Sequence, residues 1–258
     1  MRGCLLVVAC AAAAALVVVI GLFIALNIYV RHAQTPPDVV GIARSRHVVD
    51  ADHAAVSALS ADLKALAPDG ASWLAPGPAG VSDLCVSHEN DAFIPSWTGT
   101  RCIRTITAYF FFNGAFGQHM QAWDAALRAT GWVTIGGDPL GMPLFYYAKY
   151  GHKPESGEPS LRYLATSLPM SDPYYHALPG SSTPGQSVDL VFRWAERPQV
   201  SDSFEDYDET PGPTTVVAWL QRAILSPGAV ESAAFTRYQF VAVATLTAVY
   251  YDSAARKV

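Results

Sequence analysis

The chain opens on a run with almost no polar interruption. From Cys4 to Val30 no residue is charged, and apolar side chains fill nearly every position. As an α-helix, rising ~1.5 Å per residue, the run extends ~40 Å against a hydrocarbon core of ~30 Å. The pattern predicts a transmembrane helix over residues 4–30, with Asn27 and Tyr29 at the interface and Arg31-His32 in water. A cleaved signal peptide is the rival reading. Its apolar region would run ~7–15 residues before a small-x-small site, and here Arg31 stands where a small residue belongs. The basic flanks, Arg2 on one side and Arg31, Arg44 and Arg46 on the other, do not favour an outside C-terminus. A two-residue N-terminus leading into a long apolar run nevertheless resembles a signal anchor, N-terminus in and C-terminus out.

Beyond Pro36-Pro37 the period changes. Val48, Val49, Ala55, Val56, Leu59, Leu63 and Leu66 recur at three- and four-residue steps, predicting one amphipathic helix over 39–67, either a stalk or docked on the domain after it. A Pro/Gly-rich connector over 71–80 precedes a candidate strand at 81–88. Residues 102–112 are β-branched and aromatic, without Gly or Pro, and read as a central strand. Asn113 is a candidate N-cap for a helix over 115–130, whose Phe116, Met120, Trp123 and Leu127 share a face, and Gly131 closes it. Further strands are expected at 132–135, 144–150, 161–168, 186–195 and 236–251. A long connection spans 169–185, an acidic loop spans 201–213, and a helix with Val217, Leu220, Gln221 and Ile224 on one side reaches residue 225.

The expected fold is therefore α+β: an N-terminal transmembrane helix, a stalk-like amphipathic helix, then a mixed or antiparallel sheet with two helices on one face. In domain terms the chain divides into a cytoplasmic N-terminus (1–3), the span (4–30), a juxtamembrane spacer and helix (31–70), an extracytoplasmic domain (71–252) and a basic tail (253–258).

Charge and cysteine usage narrow the function classes. All 22 Asp and Glu lie beyond the apolar run, against 16 of the 17 Lys and Arg, and no basic stripe is present. Nucleic acid is thereby excluded as an expected partner. Cys4 and Cys10 fall in the apolar run. Cys85 and Cys102 remain, in no C-x-x-C pair, and in an oxidising compartment they are expected to form a disulfide across neighbouring strands.

The catalytic motifs are missing: no G-x-S-x-G elbow, P-loop, dinucleotide fingerprint or H-E-x-x-H helix occurs. His47, Asp50, Asp52 and His53 invite a metal reading. His47 and His53 are six residues apart, off the common i, i+4 face, so this group reads as a solvated helix face. The acidic loop lacks calcium-loop spacing. No catalytic, metal or cofactor-binding residue is expected. Loop aromatics Trp97, Tyr174, Tyr175 and Tyr207 are candidate ligand contacts, able to stack on a sugar if they converge.

Alanine richness, Arg over Lys, one N-terminal span and a two-cysteine α+β part resemble uncharacterised exported or membrane-anchored proteins of high-GC bacteria. The helix end from Trp123 to Gly131-Trp132 is the local mark of that resemblance. It implies an envelope location and carries no functional residues. The expected function is a membrane-anchored, non-catalytic interaction module that binds another envelope protein. A ligand or glycan binder, and an envelope hydrolase whose site the sequence does not display, are the alternatives.

Overall fold

The computed structural model describes residues 2–67, 70–90, 96–129, 132–134, 174–177, 187–197 and 211–254. The helices are α1 (Arg2–Gln34), α2 (Val39–Ala43), α3 (Arg46–Ala65), α4 (Phe116–Ala129) and α5 (Pro227–Ala234). The strands are β1 (Leu74–Asn90), β2 (Ser96–Trp97), β3 (Arg101–Phe112), β4 (Trp132–Thr134), β5 (Tyr174–Ala177), β6 (Ser187–Glu196), β7 (Thr215–Ala223) and β8 (Phe240–Asp252). They form one α+β sheet of order β2-β1-β3-β8-β6-β5-β4, with β7 paired to β1. Every described pairing is antiparallel. The strands expected at 144–150 and 161–168 and most of the acidic loop lie outside the described residues.

The centre of the sheet is the β3–β8 pair, where the apolar runs are longest. Side chains alternate across a strand, and in β3 the even-numbered residues Cys102 to Phe112 are all buried. Ile106, Ala108, Phe110 and Phe112 meet Phe240, Ala242, Ala244, Leu246 and Ala248 of β8 in the largest core, capped by α4 through Phe116, Met120, Trp123 and Leu127. Tyr109, Val241 and Val243 face the other way, towards Ala234 at the end of α5 and Phe235 just after it.

The predicted helix over 39–67 is two helices. Ser45 adopts extended backbone (φ −66°, ψ 142°), and its hydroxyl accepts from the amide of Val48, so the chain restarts as α3. Asp38 caps α2 in the same manner through the Gly41 amide. α3 is not a free-standing stalk. Leu59 and Leu66 enter the main core, while Val48 and Ala55 join Val39 and Ala43 of α2 over the disulfide. The face therefore carries α3 and α4 as its long helices, and not a helix near residue 220.

That last segment is the clearest correction. Residues 215–223 form β7, an antiparallel partner of β1. Val216 and Val217 favour extended backbone, and the spacing of Val217, Leu220 and Gln221 mimicked a helical face by chance. Tyr174–Ala177, expected in a connection, is strand β5. β1 begins at Leu74, inside the supposed connector: Pro76 and Pro78 are tolerated because β7 joins β1 only from Val81 onward. Gly77 is required there, since a Cβ would lie 2.6 Å from the Phe111 ring. α5 went unforeseen; Pro227 occupies its first turn, where proline is at home.

α1 continues past Arg31 to Gln34. Its side chains are described from Leu16, and Leu22, Phe23, Ile24, Leu26 and Ile28 are all exposed. Among the residues whose side chains are described, which in α1 begin at Leu16, no helix is long and apolar enough to cross a membrane.

Candidate functional site

One charged side chain interrupts the apolar inner face of β3. Arg104 sits between Cys102 and Ile106 and is buried with them. A guanidinium taken out of water needs acceptors on all its donors, and three elements supply them. Asp52 of α3 accepts from Nε at 3.0 Å and lies 2.9 Å from Nη2. Asp83 of β1, directly opposite on the neighbouring strand, places Oδ2 2.6 Å from Nη2. Gln221 of β7 accepts from Nη1 at 3.0 Å. Tyr250 of β8 completes the cluster by donating its hydroxyl to Asp83 Oδ1 at 2.8 Å.

β-Bulges lie beside two of these groups. Tyr250 keeps the inward register of Leu246 and Ala248, and the bulge between Val249, paired with Ile103, and Tyr251, paired with Cys102, leaves it as the extra residue. Asp83 pairs with Gln221 and Leu84 with Trp219, so Leu220 is extra and Gln221 comes opposite Asp83. Bulges commonly re-aim a side chain, and the one in β7 turns Gln221 to the face of Arg104.

The electrostatics follow from burial. Asp83 is fully buried. Burial pushes its carboxyl up to about 7; the Tyr250 hydroxyl and Arg104 pull it down, and the facing Asp52 carboxyl pushes it up again. Burial, followed by the charge on Asp83, likewise drives the Tyr250 phenol upward. Asp62, half-exposed on the same helix, is raised by burial alone. Two carboxylates on one guanidinium leave a surplus negative charge in the interior, which a proton removes. The side chains of Asp83 and Arg104 are 0% and 9% exposed, which shuts out a substrate. The arrangement can hold and release a proton; it is not laid out to turn over a ligand.

The disulfide is where it was expected. Cys85 and Cys102 are directly opposed on β1 and β3, Cα atoms 3.9 Å apart, and joined. They lie two residues from Asp83 and Arg104 on the same face, covered by α2 and α3. The candidate aromatics are scattered. Trp97 of β2 is half-buried and donates Nε1 to the carbonyl of Gln34, the last residue of α1, at 3.2 Å. Tyr174 and Tyr175 belong to β5, separated from β2 in sheet order by β1, β3, β8 and β6. Tyr207 lies outside the described residues.

Sequence reasoning assigned Asp52 to a solvated face, yet its side chain is only 15% exposed and points at Arg104. Asp83, Arg104 and Tyr250 passed unremarked, and Gln221 was placed on a helix face. A signal existed: Arg104 falls in the inward register of Cys102, Ile106, Ala108 and Phe110, and Asp83 in that of Val81 and Cys85. Opposite charges at inward positions of two apolar strands announce a buried pair. In comparisons with known protein families, characterised proteins and solved structures, nothing matches this chain.

Proposed function

We propose that the protein is an extracytoplasmic α+β module held at the cell membrane by α1, spanning at residues 4–30, and that it works by binding another envelope protein rather than by catalysis. The observation that carries the reading is the buried Cys85–Cys102 disulfide, which forms and persists in an oxidising compartment. The uncharged, helical stretch from Cys4 to Val30 supplies the means of export and retention.

The domain sits close against the end of that helix. Only Thr35 to Asp38 separate α1 from α2, whose Val39 and Ala43 are buried, and Trp97 ties β2 to the Gln34 carbonyl. An aromatic ring at this height suits a membrane interface, which gives Trp97 a positioning role in place of ligand stacking. The non-catalytic half of the reading rests on the closed character of the polar cluster.

A periplasmically active reporter fused after Val258 should work, and a reporter that works only in the cytoplasm should fail; the reverse pattern overturns the location. Crosslinking in intact cells should give an adduct with a second envelope protein. An exclusively monomeric pattern removes the interaction half of the proposal.

A further inference from the structure

We propose that the Asp52–Asp83–Arg104–Tyr250 cluster is a proton-operated latch: a proton held between Asp52 and Asp83 keeps α3 on the sheet, and its loss to water lets the N-terminal half of α3 open.

Asp52 and Asp83 touch the same nitrogen, Arg104 Nη2, at 2.9 and 2.6 Å, so the contacting carboxyl oxygens lie within about 5.5 Å of one another. Among the described residues no second cation reaches either carboxylate. The groups facing Asp83 are Asp52 from α3, Arg104 from β3, Tyr250 from β8 and, through Arg104, Gln221 from β7. With both carboxylates ionised, the buried cluster carries net charge −1. One proton makes it neutral and gives the carboxyl pair a shared hydrogen bond in place of a repulsion.

The latch spans an interface that can part. Asp52 is the only α3 side chain bonded to the cluster, so an opened α3 carries that carboxylate into water and leaves Asp83 paired with Arg104. The C-terminal half of α3 is held independently: Leu59 and Leu66 lie in the aromatic core, and the Leu66 carbonyl accepts from Trp123 Nε1 at 2.6 Å. The N-terminal half rests on Val48, Ala51, Ala55, the edge-on contact of His47 with the Tyr251 ring, and the latch.

The sign follows by linkage. Asp83 titrates near 7 when closed, against an ordinary carboxyl value of 3.8. Closure therefore takes up a proton. Opening is favoured as pH rises from about 4 to about 7, by up to about tenfold per unit, and levels off above. This holds whether or not α1 crosses a membrane.

The test is amide hydrogen exchange on the full chain in detergent, corrected for the intrinsic rate at each pH. Protection of residues 46–56 should fall about tenfold or more between pH 5 and 7, while α4 on the same face stays constant. In Asp83→Asn the profile should be flat. Should that variant fail to fold, Asp52→Asn, which takes away the facing carboxyl that pushes Asp83 up but leaves its burial, should move the response to lower pH. Asp62→Asn should keep the parent profile. A parent profile that changes less than twofold, an Asp83 or Asp52 variant that titrates like the parent, or an Asp62→Asn variant that loses the response, each overturns the latch.

Discussion

The helix-covered face of the sheet is built in two different ways. At one end, under α4 and the last turns of α3, it is aromatic. Phe110 meets Trp123 edge-on at 5.2 Å, Phe112 stacks on Phe240 at 5.0 Å, and Phe116 tilts against Trp194 at 5.3 Å. At the other end, under α2 and the first turns of α3, apolar volume is small: Val39, Ala43, Val48 and Ala55 cover a disulfide and a charged cluster. Apolar burial is worth roughly 25 cal/mol per Å² and does not respond to pH. A cluster of two acids and one base contributes little net energy, since desolvation offsets the attraction, but it does respond. The same helix thus has one end fixed by packing and one end conditional on a proton.

The aromatic end should be the costlier to break. Trp123→Ala removes a buried ring, for ~3–5 kcal/mol of lost transfer and cavity energy. It also strands the Leu66 carbonyl, a further ~1–3 kcal/mol. Denaturant unfolding in detergent should show this loss equally at pH 5 and pH 8. A loss that depends on pH would mean the two ends are not separable.

Arg104→Met attacks the other end. It leaves Asp52, Asp83 and Gln221 without their donor, and truncating one side of a buried ion pair costs ~3–5 kcal/mol. Here the cost should shrink at pH 5, because Asp83 protonates still more readily without the guanidinium that holds its carboxyl down. An Arg104→Met penalty as large at pH 5 as at pH 8 would assign the arginine a packing role and end the contrast.

The aromatic end was the legible one. Phe116, Met120, Trp123 and Leu127 announce their helix by spacing alone, and the strand of residues 101–112 announces itself by composition. These are local signals, set by neighbours three or four residues away. The conditional end is non-local: Asp52, Asp83, Arg104, Gln221 and Tyr250 come from five elements spread over 199 sequence positions, and a bulge turns Gln221 into place. No period reveals a bulge, and the helix predicted near residue 220 hid Gln221 on the wrong kind of element. The disulfide was legible for a different reason: two exported cysteines on candidate neighbouring strands leave few other readings.

Removing the disulfide should fall below both substitutions in effect. Cys85→Ala with Cys102→Ala opens a loop of sequence separation 17, for ~3 kcal/mol in the chain-entropy model. Because the bridge sits beside the cluster, the loss should loosen residues 46–56 more than α4 in hydrogen exchange. Uniform loosening of both helices would show that the bridge acts only on the unfolded chain.

The smallest effect is expected from a charge pair on the same helix. Arg46 and Asp50 stand one turn apart in the first turns of α3, with Nε and Oδ2 3.7 Å apart and side chains 96% and 68% exposed. Residue types are shared with the Asp52–Arg104 contact, and the acid stands on the same helix; this pair lies within one helix and in water, the other between helix and strand and buried. In water the attraction is screened, and holding two long side chains together costs most of what it returns. Arg46→Ala should therefore leave the unfolding midpoint within measurement error at every pH from 5 to 8. It should also leave the exchange profile of residues 46–56 unchanged, although it lies closer in sequence to that segment's start than any member of the cluster. If Arg46→Ala shifts that profile, the proton response of α3 belongs to the general charge of its surface and not to the buried group around Arg104.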